Sequence, residues 1–192
     1  MRYLLLLPLF FAALVLNAAE PLAIDRVNFN SLKDDWIQVE IKLSCNDSIP
    51  TSKNDRYLDD IKVTVYLTYS EDGQKGAFSF YKSDVEIITM EKGDTNNVYF
   101  YLPGLVVERD RFKTAPDFFY VELSIGDQAL PPQKNGMSSN LNETSLQSML
   151  SKAEAESDAN KGILMPIYLM TNAPLGRVDR LPTFLRRDYR SE

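Results

Sequence analysis

Two stretches of this chain alternate apolar and polar residues at every second position, and that pattern decides the fold class. In 36–44, Ile37, Val39, Ile41 and Leu43 share one parity while Gln38, Glu40, Lys42 and Ser44 take the other. In 61–69, Ile61, Val63, Val65 and Leu67 alternate with Lys62, Thr64, Tyr66 and Thr68. Successive side chains of an extended strand leave opposite faces, so each stretch has one core face and one polar face. A helix would scatter the same residues around its axis. Both stretches read as strands.

Weaker copies of the pattern follow. Val27 and Phe29 suggest a first strand over 23–30, and Phe78-Ser79-Phe80 opens another that runs on to Val85, Ile87 and Thr89. Val98, Phe100 and Leu102 mark a fifth; Phe119, Val121, Leu123 and Ile125 mark a sixth. A last strand is read over 163–170, where Pro166 places it at an edge or on a bulge. Glu71-Asp72-Gly73 and Lys92-Gly93-Asp94 punctuate the strands as turns. Leu102-Pro103-Gly104 stops a strand before a short helical turn in 105–112. One segment, 142–160, is helical instead. Leu146, Met149, Leu150 and Ala153 form a narrow apolar stripe, Asn142 or Thr144 caps the start, and Gly162 closes the end. The expected fold is mainly β: an antiparallel immunoglobulin-like sandwich of about seven strands with one helix inserted before the last strand. A jelly roll is the competing arrangement.

The chain begins with an export signal. Arg2 supplies a positive start, an apolar run follows from Leu4 to Leu16, and Asn17-Ala18-Ala19 ends it with small residues. A run of roughly 13 residues reaches about 20 Å as a helix, short of the roughly 30 Å bilayer core. Residues 1–19 are therefore expected to be a cleaved signal peptide. That leaves residues 20–172 as one domain and 173–192 as an Arg-rich tail, with contact to a membrane only through an uncleaved leader.

Composition removes several chemistries. The chain contains no His, which excludes Ser-His-Asp and Cys-His catalysis and the His-based zinc and iron sites. Its single Cys, Cys45, cannot form an intrachain disulfide and reads as a buried small hydrophobe at a strand end. A net charge of −6 argues against nucleic-acid binding. Ser79-Phe80-Tyr81-Lys82 matches a Ser-x-x-Lys pattern, yet an odd offset on a strand sends the two side chains to opposite faces. Glu154, Glu156 and Asp158 read as a solvated helix face. Asp59-Asp60 and Asp110 lack calcium-loop spacing. Asn46-Asp47-Ser48 and Asn142-Glu143-Thr144 are glycosylation triplets only in a eukaryotic cell. Neither a cofactor nor an enzymatic activity is expected.

Surface chemistry remains. Tyr66, Tyr99, Tyr101 and Tyr120 fall on the outward parity of their strands, where tyrosines bring contact area with little entropy loss. They are candidates for binding a protein partner or, alternatively, a glycan. The tail carries Arg177, Arg180, Arg186, Arg187 and Arg190 on an otherwise acidic chain, so it folds back onto the body or docks on a neighbour. Arg186 and Arg187 join the tyrosines as candidate contact residues.

Four segments carry a resemblance: Arg56-Tyr57-Leu58-Asp59-Asp60-Ile61-Lys62-Val63-Thr64-Val65-Tyr66-Leu67, the stretch from Tyr81 to Glu86, Phe100-Tyr101-Leu102-Pro103, and Ala159-Asn160-Lys161-Gly162-Ile163-Leu164-Met165-Pro166-Ile167-Tyr168-Leu169. Through them the chain resembles small secreted bacterial proteins with an immunoglobulin-like domain, associated with type IV pilus-like surface machinery. The resemblance implies an accessory or structural role in the periplasm or at the cell surface. A pilin itself would continue from its leader into a long hydrophobic helix, and Glu20-Pro21-Leu22 opens nothing of that kind. A non-enzymatic interaction module with a protein partner at the envelope is thus the expected function, with self-association as a second mode.

Overall fold

The computed structural model describes residues 20–47, 54–71, 77–156, 159–170 and 176–185. The leader at 1–19, the Asp72-Gly73 turn tip, Asp158 and the candidate contacts Arg186 and Arg187 lie outside these described residues.

Two antiparallel sheets pack face to face. One holds β1 (Leu22–Ser31), β2 (Ile37–Cys45), β5 (Thr95–Leu102) and β8 (Met165–Pro166), in that order. The other runs β7 (Gln128–Ala129), β6 (Phe118–Ile125), β3 (Tyr57–Ser70), β4 (Phe78–Glu91) and β9 (Thr183–Leu185). This is the immunoglobulin-like sandwich expected from the alternation. The inner wall is the apolar parity of each strand: Val39 and Ile41 of β2, Val63 and Val65 of β3, Phe100 of β5 and Val121 of β6 are all buried. Cys45 ends β2 inside that core, where burial, then the nearby carboxylates of Asp94 and Asp47, push its thiol above the ordinary value.

The differences from expectation have local causes. Lys92-Gly93-Asp94 does turn the chain, but β4 and β5 lie in different sheets, so the turn is a corner between layers and not a hairpin. Burial parity slips at Asp60 of β3, whose φ is 55°, and at Ile88 opposite it on β4, so the register of that pair runs on unchanged; against β9, the step from Ile87 to Thr89 is a bulge. At the slip, the Asp60 carbonyl accepts a hydrogen bond from the Gly126 N–H at 2.7 Å. The last predicted strand shrinks to Met165–Pro166 followed by a 3-10 turn at Ile167–Leu169, since Pro166 has no N–H with which to extend a ladder. Short segments β7 and β9 add strands that no alternation announces.

The inserted helix, α2 (Glu143–Ala155), starts as expected: the Asn142 side chain accepts the Ser145 N–H at 2.8 Å. It ends five residues early. The Glu156 carboxylate accepts the Phe80 N–H at 3.3 Å and the Asn160 amide donates to the Phe80 carbonyl at 2.8 Å, drawing the chain out of the helix onto the edge of β4.

The opposite edge is closed by the same device. Gln133 accepts the Ile24 N–H at 2.6 Å and donates to the Leu22 carbonyl at 2.8 Å, so one side-chain amide stands in for a neighbouring strand beside β1. Gln133 is itself buried. Replacing it with Leu would leave a buried donor and a buried acceptor unpaired, and we expect a loss of about 2–4 kcal/mol. Urea unfolding of Gln133→Leu checks this; a loss below about 0.5 kcal/mol would show that the edge is closed by something else.

Candidate functional site

The four tyrosines point away from the inter-sheet core, as their parity requires, but they are not on the surface: Tyr66, Tyr99, Tyr101 and Tyr120 expose at most 7%. This corrects their reading as an outward aromatic patch. The physical reason is a third layer made by the chain itself. Tyr66 and Tyr120 face each other across β3 and β6 with ring centres 6.0 Å apart, and Leu146, Met149 and Ala153 of α2 lie on them together with Phe80. The apolar stripe of the helix needs an apolar floor, and these rings supply it. The Tyr66 hydroxyl donates to Glu122 at 3.1 Å. Burial, then that carboxylate, raises its phenol above the ordinary value, and burial does the same to Tyr120.

On the other sheet the cover is the segment 176–182. The Tyr101 hydroxyl accepts from Gln38 at 3.1 Å, and the Tyr99 hydroxyl accepts the Asp179 N–H at 3.3 Å. Asn97 donates its backbone N–H to the Arg180 carbonyl at 2.9 Å and its amide to the Asp179 carboxylate at 2.7 Å. Burial raises both phenols. The described part of the tail, 176–185, therefore folds back, as one of its two readings had it, through backbone groups, Asp179 and the Arg180 side chain, which donates to Thr95 at 2.7 Å, while the Arg177 side chain stays 91% exposed.

Two of the carboxylates singled out in the sequence are held in ion pairs. Glu154 pairs with Lys82 at 2.5 Å, and Asp110 with Arg109 at 2.6 Å. Ser79 donates to Glu71 at 3.1 Å while Lys82, three residues on, stands over the Tyr66 ring. Among the described residues no three His, Cys, Asp or Glu side chains gather in a group that could hold a metal ion.

Between the Glu156 and Asn160 contacts at Phe80 and the short strand β9, the outer edge of β4 is covered only in part. β9 covers only Glu86 to Thr89, and Phe184 turns inward from it against Tyr168, ring centres 5.7 Å apart. Ile88, pushed out by the bulge, and Leu185 beside it are each 45% exposed. Next along the same edge, Lys82, Asp84 and Lys161 rim an apolar hollow of about 340 Å³ floored by Leu164 and Pro166, with Leu169 40% exposed at its lip. Large apolar side chains in water along one strand edge, rimmed by charges of both signs, have the composition of a protein contact. Alternation could not reveal this edge, because it depends on a bulge and on a three-residue strand from the far end of the chain.

No family model matches the sequence, and no curated protein does. Among solved structures the chain is similar to the crystal structure of a protein from Akkermansia muciniphila, at 14% identity, over 88% of this chain and 94% of that one, with a TM-score of 0.63. The likeness is one of fold. It is too distant in sequence to carry residue roles. No helix of the described residues is long and apolar enough to cross a membrane.

Proposed function

We propose that this protein is an exported, non-enzymatic interaction module, accessory to pilus-like assembly at the cell surface, that docks a protein partner along the outer edge of β4. The observation that supports this reading most is the contrast between surfaces. The chain's own helix and C-terminal segment cover the tyrosines on both outer faces of the sandwich, while Ile88, Leu169 and Leu185 stand in water along one edge. An exposed edge strand is a template for another chain, and apolar side chains at its margin add area to main-chain pairing. The export signal read at 1–19 and the family resemblance support a location in the periplasm or on the cell surface.

Affinity capture from the native envelope tests the proposal. The purified protein should recover the same partner reproducibly, and the double variant Ile88→Lys, Leu185→Lys should lose at least tenfold of that recovery while melting at the unchanged temperature. No reproducible partner, or undiminished recovery by the variant, contradicts the reading.

A further inference from the structure

A second hollow lies on the opposite side of β4, between the outer face of the β3–β4–β6 sheet and α2, with a volume of about 340 Å³. Its walls are Phe78, Phe80 and Phe118, with Met149 of the helix as roof. Phe78 and Phe118 hold their rings 6.2 Å apart and tilted at 58°. Thr68 lines the hollow between its cross-strand partners Phe80 and Phe118. It is only 2% exposed, and its hydroxyl has no hydrogen-bond partner. At the mouth, Lys152 places its ammonium 5.7 Å from the centre of the Phe80 ring, with the Ser148 hydroxyl nearby on the same helix face.

These features specify a ligand by its chemistry. Three phenylalanine rings favour a flat ring, which they can meet edge-on or offset. A buried hydroxyl without a partner is costly, and a ligand that supplies one recovers that cost. A cation at the entrance selects a negative group at the opposite end. An acyl chain would leave Thr68 unpaired, and a sugar would press its own hydroxyls against phenylalanine walls. We propose that this groove binds a small phenolic carboxylate, the ring between Phe78, Phe80 and Phe118, the phenol on Thr68 and the carboxylate at Lys152. The site is separate from the β4 outer edge, so either assignment can fail without the other.

The probe is 4-hydroxyphenylacetate, titrated into the purified protein by calorimetry or NMR. We expect a Kd at or below about 1 mM, reasonable for a ligand of this size. Phenylacetate, which lacks the hydroxyl, and tyramine, which lacks the carboxylate, should each bind at least about fivefold more weakly. Thr68→Val should weaken 4-hydroxyphenylacetate about fivefold or more and leave phenylacetate unchanged, a difference that loosened packing would not produce. The same substitution should raise the melting temperature by a few degrees, roughly, because it removes an unpaired buried hydroxyl. Ser148→Trp, at an exposed helix position, should block the mouth and abolish binding; it decides the matter should Thr68→Val fail to fold. No binding of 4-hydroxyphenylacetate at about 10 mM, equal binding of phenylacetate, or full binding by Ser148→Trp would overturn the assignment.

Discussion

Raised from about pH 10 to pH 12, the protein should unfold cooperatively, with its buried tyrosines ionising only as the fold is lost. Of the ten tyrosines, Tyr66, Tyr69, Tyr81, Tyr99, Tyr101 and Tyr120 are buried. Burial pushes the Tyr81 phenol up to about 12, with the Asp110 carboxylate adding to the effect, and raises Tyr66 and Tyr69 further still. In the unfolded chain all of them titrate near 10. A phenol whose folded pKa lies above its unfolded one contributes stability that is complete below about pH 10. That contribution is lost as pH rises toward the folded pKa, because the unfolded chain releases the proton first. By pH 12, Tyr81 alone withdraws at most roughly 2 kcal/mol, and Tyr66 and Tyr69 each withdraw slightly more. The sum is comparable to the whole stability of a typical domain, about 5–15 kcal/mol. Tyrosinate absorbance and far-ultraviolet circular dichroism, followed together, check this. The six buried tyrosines should ionise in a steep step coincident with loss of the β signal. Ionisation of the buried six near pH 10 without change in the dichroism would mean that this packing around the tyrosines is not formed.

Gly104→Ala should destabilise the fold by about 3–4 kcal/mol and lower the melting temperature by roughly 10 °C. Gly104 opens the short helix α1 (Gly104–Asp110) directly after β5, where the helix meets the 3-10 turn at Lys33–Asp35 that joins β1 to β2. A Cβ on Gly104 would lie 1.8 Å from the Asp34 carbonyl oxygen and 3.2 Å from Cδ1 of Trp36. The obstacle is backbone, and it has little room to yield: Asp34 and Asp35 already hold φ values of 55° and 60°, a strained region for residues with side chains. Gly136→Ala provides the comparison. Its Cβ would meet the Cδ1 end of Ile24 at 2.5 Å, the tip of a side chain that can turn aside, so a loss below about 1.5 kcal/mol is expected. Thermal unfolding of both variants decides the matter. A Gly104→Ala protein within about 1 kcal/mol of the parent, or a larger loss for Gly136→Ala, would contradict this packing.

The sandwich was legible in the sequence because its cause is local. Alternation in β2 and β3 states which side chains enter the core, and the capping Asn142 with the Leu146, Met149 and Ala153 stripe announces a helix. Pairing is not local. Lys92-Gly93-Asp94 has the composition of a hairpin turn, and nothing in those three residues tells whether the next strand returns beside β4 or crosses to the other sheet. The tyrosines teach a related lesson. Parity says that Tyr66 and Tyr120 leave the first core, but not that the far face is wet. The helix stripe was the missing half of that inference, since an apolar stripe with no floor of its own implies an apolar face elsewhere. For Tyr99 and Tyr101 the cover is 176–182, an irregular segment without periodicity, held by backbone bonds that no residue pattern marks. The β4 outer edge depends on the bulge at Ile88 and on β9, and was invisible for the same reason.

Site-specific photocrosslinking in the native cell tests the docking edge most directly. With a photoreactive phenylalanine derivative in place of Ile88, illumination should give one discrete larger product containing an envelope protein. The same probe at Leu105, which is 81% exposed on α1, should give none. No product from position 88, or an identical product from position 105, would contradict a partner seated on the outer edge of β4.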